Sequence, residues 1–222
     1  MDALFDNEDS IEKKYIHPLL KWPANFFSYI FHPSFVPIYV IVFLVYVHPS
    51  YFSGFSDKGK LQTVLISIIN LVAFPLLTVG LLRAVGFLDS IFLRTRKDRI
   101  IPYMASGIFF FWAYTVFKKQ EMYPLVMSTF ILGIFLAASG ALIANIYFKI
   151  SMHAIGMGGW LGIFWIIAKE NSMLMTWPLA AAVLITGIVL TARLLVSNHT
   201  QKDIYTGLAL GFICQLVASF VS

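Results

Sequence analysis

Arg193, His199 and Asp203 stand at a spacing that can do chemistry, and Ser151-Met152-His153 precedes them upstream. His199 and Asp203 are four apart, one turn if the segment is helical, so the carboxylate can hold one imidazole nitrogen. The other nitrogen is then available as a nucleophile or base. Both groups fall where long apolar segments begin or end. Charged and titratable side chains near a bilayer are costly, so a cluster of them at such a boundary marks a functional site.

The elements that must position these residues are helices in a membrane. The 222 residues are 59% hydrophobic and 12% charged, with a mean hydropathy of +0.81. A soluble domain is roughly half apolar and about a quarter charged. The composition therefore predicts an all-α, multi-pass transmembrane bundle of about six to seven spans, in the cell (inner) membrane, with no separate soluble domain. The net charge of +5 lies in short loops between apolar runs, which favours lipid head groups or phosphates over nucleic acid. The single cysteine, Cys214, lies in the last apolar segment and reads as core filler. Residues 1–25 read as a polar N-terminal tail without the basic start of a signal peptide, and 26–222 as the membrane-embedded domain. Three His-Pro pairs, at His17, His32 and His48, mark helix boundaries and carry no assigned chemistry.

Apolar runs predict helices at 34–52, 62–83, 102–117, 124–147, 153–168, 174–192 and 204–221. Tracing the alternation, the chain passes a basic stretch (Arg94, Arg96, Lys97, Arg99), crosses and turns at Lys118-Lys119. It returns to Lys149–His153, crosses to Lys169 and returns to Arg193 and His199. All three polar clusters thus fall on one face. Each abuts a helix start: Pro102 suits a first helical position, Ser151 caps the fifth span, and Ser197 or Asn198 caps the seventh, with Gln201 completing a capping box. Helix N-termini offer unpaired amides and positive dipole ends, and arginine beside them favours a tetrahedral oxyanion. The residues by themselves describe a phosphate site at the membrane surface.

Arg193-x5-His199-x3-Asp203, continued by Gly207 and Gly211, resembles the third signature of the type 2 phosphatidic-acid phosphatase superfamily, Ser-Arg-x5-His-x3-Asp, with Ala192 in place of the serine. Ser151-Met152-His153 is similar to the second, Pro-Ser-Gly-His, with Ile150 and Met152 replacing proline and glycine. The first, Lys-x6-Arg-Pro, is not met; the nearest stretch is Arg94 to Arg99 followed by Pro102. The resemblance spans residues 90 to 211. It implies a lipid phosphate or pyrophosphate phosphatase working through a phosphohistidine, with no metal and no cofactor. His199 would attack phosphorus, Asp203 would fix its tautomer, and His153 would protonate the leaving oxygen and then activate water. Arg193, Ser151 and Arg99 or Lys97 would hold the phosphate, and one neutral and one protonated imidazole imply a bell-shaped pH dependence.

Two other functions fit the same residues: a phosphotransferase with an acceptor other than water, and a non-catalytic transporter or lipid-binding protein that keeps an anion site. The lipid, the membrane side and the oligomeric state are not encoded. By face, eleven basic residues lie with the site against five opposite (Lys58, Lys60, Lys118, Lys119 and Lys169). The positive-inside rule applied to that count favours the cytoplasm. Seven of the eleven belong to or adjoin the site, so the side stays open. Gly156, Gly158, Gly159, Gly207 and Gly211 read as close helix contacts.

Overall fold

A computed structural model describes residues 18–88, 96–170, 172–197 and 199–222. Among them are eight helices: α1 (Pro18–Ile30), α2 (Val36–Val47), α3 (Asp57–Ala84), α4 (Arg96–Lys118), α5 (Leu125–Tyr147), α6 (Met152–Glu170), α7 (Ser172–Val196) and α8 (Gln201–Val221). Arg94 of the basic stretch, Asn171 of the polar turn after Lys169 and the cap candidate Asn198 lie outside the described residues, as do Lys13 and Lys14. The bundle is all-α. Five helices (α3, α4, α5, α7 and α8) are long and apolar enough to cross a membrane. Their outward faces carry Leu77, Leu81, Ile108, Trp112, Ile143, Leu184 and Ile213 in exposed positions. A belt of that kind suits lipid rather than water.

The helices alternate in direction. At one end, Arg99 Nη1 donates to Ile150 C=O at 3.5 Å and Ser151 N–H donates to Asp203 C=O at 3.2 Å. These contacts gather the N-termini of α4, α6 and α8. At the other end the Tyr51 hydroxyl donates to Glu170 Oε2 at 3.1 Å, and the Thr129 and Ser222 hydroxyls meet at 2.6 Å. The alternation expected from the sequence is therefore present.

α6 is the buried axis. Ala154, Met157, Gly158, Ile163 and Ile167 are all inaccessible, and α6 packs most extensively against α8. The contact is backbone to backbone. A Cβ on Gly158 would strike the carbonyl of Leu208, one on Gly211 that of Ile155, and one on Gly207 would sit 2.9 Å from Ser151 O. Only glycine permits that approach. It fixes the register in which Ser151 and His153 face Asp203 and His199.

Several helix ends differ from expectation. α4 starts at Arg96, so Pro102 is inside the helix rather than at its first position. Lysine and arginine are good helix formers, and Asp98 in the first turn complements the dipole, so the basic stretch becomes helix. α1 begins inside the segment read as a tail. Its apolar residues Leu19, Leu20, Trp22 and Phe26 are exposed, while Ala24 and Ser28 are buried; α1 packs on α7. α3 continues through Pro75 because the preceding turn widens to π-helical geometry over Ile69–Ala73, which absorbs a missing amide donor. Buried polar groups along α3 are settled internally: Thr63, Ser67 and Asn70 donate to carbonyls four residues back at 2.8, 2.8 and 2.9 Å.

Candidate functional site

The N-terminal ends of α4, α6 and α8 and the C-terminal end of α7 enclose one polar cluster. α7 delivers Arg193 in its last turn, where a cation complements the helix dipole. The guanidinium Nε is buried without a hydrogen-bond partner. α4 delivers Arg99, 8% exposed, against the carbonyl of Ile150. α6 delivers Ser151 and His153 at its start. The loop before α8 delivers His199, whose side chain is 8% exposed, and Asp203 lies in the first turn of α8.

His199 and Asp203 meet by a different geometry from the one expected. His199 is not helical; it precedes the N-cap, so the two are not stacked one turn apart on a helix face. The cap is Thr200, not Ser197 or Asn198. Its extended backbone (ψ 165°) starts the helix, and its hydroxyl accepts from Asp203 N–H at 3.2 Å. Asp203 Oδ2 accepts from Thr200 N–H at 2.9 Å, completing a capping box one residue pair later than predicted. The same Oδ2 lies 3.4 Å from His199 Nδ1, but the alignment makes no hydrogen bond. The carboxylate therefore holds the helix start and steadies the imidazole by charge.

The environment of His199 is cationic. Burial and the nearby charges of Arg193, Arg99 and Lys149 bring its pKa down to about 4, against a smaller raising effect from Asp203. The ring is neutral at pH 7, with Nε2 on the side away from Asp203. His153 is bound differently. Its Nε2 lies 3.0 Å from Ser28 C=O. A carbonyl only accepts, so Nε2 carries the proton and Nδ1 is the uncommitted nitrogen. Arg193 and His199 are both within electrostatic reach of it.

His32 was assigned no chemistry, yet its ring stands edge-on to His153 with centroids 5.6 Å apart. Its Nδ1 accepts from Ser34 N–H at 3.3 Å, and burial together with Arg193 lowers its pKa. A signal was present: His32 sits just before the first span, on the face the alternation assigns to the site. Ser28 was missed because it falls between the tail read over 1–25 and the first helix expected at 34–52, where no element was assigned. Among the predicted phosphate ligands, Arg193 and Arg99 join the cluster. Ser151 is fully buried, and its Oγ accepts from Ala154 N–H at 3.4 Å, capping α6 as expected; its oxygen therefore faces its own helix. Lys97 is exposed, and no interaction ties it to the cluster. Among the described residues no group of His, Cys, Asp or Glu is disposed to hold a metal ion.

The arrangement offers two largely buried imidazoles, each with an uncommitted nitrogen, a buried and a half-buried guanidinium, and one carboxylate committed to a helix cap. Such a set can bind a multiply charged oxyanion and move a proton beside it. The chain matches no protein-family model, no curated protein and no solved structure.

Proposed function

We propose that the protein is an integral membrane phosphatase acting on lipid phosphates or pyrophosphates through a phosphohistidine, as its likeness to the type 2 phosphatidic-acid phosphatases implies. The observation that carries this reading is His199: a buried imidazole kept neutral among Arg193, Arg99 and Lys149. A neutral ring is the nucleophilic form, and the surrounding cations supply the charge that a phosphoryl group needs.

In the proposed reaction His199 Nε2 forms a bond to phosphorus as the bond to the lipid oxygen breaks. Arg193 and Arg99 hold the equatorial oxygens, and the Asp203 charge favours the Nδ1–H tautomer. His153 Nδ1 takes the proton of the singly protonated lipid phosphate and passes it to the departing oxygen. A water then attacks phosphorus, returns a proton to His153 and releases His199. With α2 and α6 counted beside the five long helices, the bundle would have six to seven membrane segments, and the cell (inner) membrane remains the proposed location.

The committed hydrogen bond of Asp203 favours a second reading, a non-catalytic lipid-anion binder in which the carboxylate is simply a cap. One experiment separates them: phosphate release by the purified protein from a panel of lipid phosphates with EDTA present, beside His199→Ala and His153→Ala. Release that survives EDTA and vanishes in both variants supports the enzyme. Lipid phosphate that binds to all three proteins without turnover supports the binder. A donor lipid consumed only when an acceptor alcohol is added would identify the phosphotransferase form of the same chemistry.

A further inference from the structure

His153 is approached by α1 and by the turn that joins α1 to α2, a part of the chain that carries none of the three signatures. Ser28 C=O accepts from its Nε2–H at 3.0 Å, which leaves Nδ1 as an acceptor. The His32 ring stands edge-on to it, at 81° and with centroids 5.6 Å apart. His32 is itself oriented. Its Nδ1 accepts from Ser34 N–H at 3.3 Å, so the neutral ring carries its proton on Nε2. Burial and the Arg193 charge both favour that neutral ring. Among the described residues the contact with Ser34 is the ring's one hydrogen bond, so Nε2–H is a donor still to be used.

The two rings thus pair an acceptor, His153 Nδ1, with a donor, His32 Nε2–H. Such a pair suits an oxygen that can both give and receive a hydrogen bond. Two hydrogen bonds through one oxygen span roughly 5 Å between nitrogens, a distance that centroids 5.6 Å apart accommodate. The other end of α2 supplies a control. There Ser50 N–H donates to His48 Nδ1 at 3.4 Å in the same His-Pro-Ser turn, yet the ring stacks on Tyr51 and faces no second imidazole among the described residues. Holding a turn explains the Nδ1 contact at both ends. It leaves the imidazole pair at one end unexplained.

We propose that His32 is a further catalytic residue, whose Nε2–H donates to the oxygen opposite His199 in both halves of the reaction. This rests on the phosphohistidine reading above and adds a group to it. In the first half the oxygen is the lipid's. The bond from His199 Nε2 to phosphorus forms, the bond to the lipid oxygen breaks with its electron pair left on oxygen, and His153 delivers the proton. In the second half the oxygen is that of water. Its bond to phosphorus forms, the pair of the breaking P–N bond returns to His199, and the water's proton passes to His153 Nδ1 and leaves with the inorganic phosphate. His32 keeps its own proton throughout. Leaving and entering groups occupy the same in-line position, so one donor serves both.

Two substitutions separate the donor from the turn. His32→Asn keeps an acceptor for Ser34 N–H, as asparagine does in such turns, but has nothing at the place of Nε2. His32→Gln carries an amide N–H that reaches that place. The probes are benzyl phosphate, whose alkoxide leaves poorly, and para-nitrophenyl phosphate, whose phenolate leaves unaided, with radiolabelled phosphatidic acid to trap the phosphoenzyme. His32→Asn should lower kcat/KM for benzyl phosphate by about tenfold, the value of one hydrogen bond to an oxygen gaining charge. For para-nitrophenyl phosphate the loss should stay within about threefold, because that oxygen needs less help. His32→Gln should recover most of the benzyl phosphate rate. Both probes meet the same preparation, so partial unfolding lowers both rates alike. Equal losses on the two probes would reduce His32 to a turn residue, and no loss on either would remove it from the reaction. His32→Gln as impaired as His32→Asn would overturn the donor role. Label on His199 with an unaffected His32→Asn sinks this proposal alone; no label and no hydrolysis by the unaltered protein sinks the phosphohistidine reading and this proposal with it.

Discussion

The two ends of the bundle each hold a buried histidine beside a carboxylate, and they are not equivalent. At the far end His48 stacks on Tyr51 with ring centroids 4.3 Å apart, and its Nδ1 accepts from Ser50 N–H at 3.4 Å. Tyr51 in turn donates to Glu170. Burial lowers the His48 pKa and Glu170 opposes it, while burial and Glu170 together raise that of Tyr51. The carboxylate there is the charge that neighbouring groups feel most. At the near end the order is reversed. Arg193, Arg99 and Lys149 all outrank Asp203 in their effect on His199, and Asp203 is already engaged by Thr200. Arg193 Nε is buried without a hydrogen-bond partner among these charges, a cost that a bound anion would relieve, whereas the far-end carboxylate already accepts from Tyr51.

The largest expected contrast is between the two histidines. His199→Ala should lower turnover by about 10⁴-fold or more, as loss of a nucleophile does. His48→Ala should leave turnover within about threefold, since surface and distal changes act mainly through stability. Equal losses in the two variants, with both proteins folded, would erase the distinction between the ends. Arginine is the next contrast. Arg193→Gln should cost about 10²–10³-fold in kcat, the range for removing one group that stabilises transition-state charge. It should also move the acid limb of the pH profile upward, because Arg193 is one of the charges depressing the His199 pKa. Glu170→Gln should do neither. An unshifted acid limb in Arg193→Gln would show that His199 does not set it.

Acid should destabilise both ends, since burial lowers the His48 pKa as well, and phosphate should relieve only the near one. His199 titrates near 6.5 when unperturbed and at about 4 when folded. Above 6.5 neither state takes the proton. As pH falls from 6.5 towards 4, the unfolded chain takes a proton that the folded chain refuses, so stability declines through that window. His32 is lowered in the same direction. Thermal unfolding in detergent should therefore shift downward between pH 7 and pH 5, and millimolar phosphate should restore part of the loss by binding only the folded state. A midpoint constant across that range would contradict the neutral, cation-flanked imidazole.

How much of this was legible differs from element to element. The alternation that brings Arg99, His153 and Arg193–His199 to one end follows from counting apolar runs, because each run must cross or return. The glycines of α6 and α8 were readable as a close contact because Gly207 and Gly211 are one turn apart. α1 was not readable: its few polar residues merge with the acidic start, and its amphipathic face becomes evident only against α7. The start of α4 was misplaced because Pro102 looks like a first-turn signal, whereas the good helix formers ahead of it carry the helix back to Arg96. The cap of α8 was misplaced because Ser197, Asn198 and Thr200 all have suitable side chains, and only backbone geometry chooses among them.

The smallest expected effect tests what Asp203 is for. Ser56 caps α3 at the far end, accepting from Gly59 N–H at 3.2 Å, and Thr200 caps α8 at the near end. Ser56→Ala and Thr200→Ala should each cost about 1 kcal/mol of stability, the usual value of a lost N-cap. Their effects on turnover should differ. Ser56→Ala touches nothing near the site. Thr200→Ala removes the hydroxyl half of the capping box while the Thr200 N–H still binds Asp203, so the carboxylate keeps its place but loses rigidity. Turnover should then fall by a few-fold, about the value of a weakened hydrogen bond, with KM nearly unchanged. If Thr200→Ala and Ser56→Ala are equally silent in turnover while Asp203→Asn is severe, the charge of Asp203 matters and its anchoring does not. If Asp203→Asn is no worse than Thr200→Ala, the carboxylate serves the helix alone, and His199 takes its orientation from the packing of the loop that carries it.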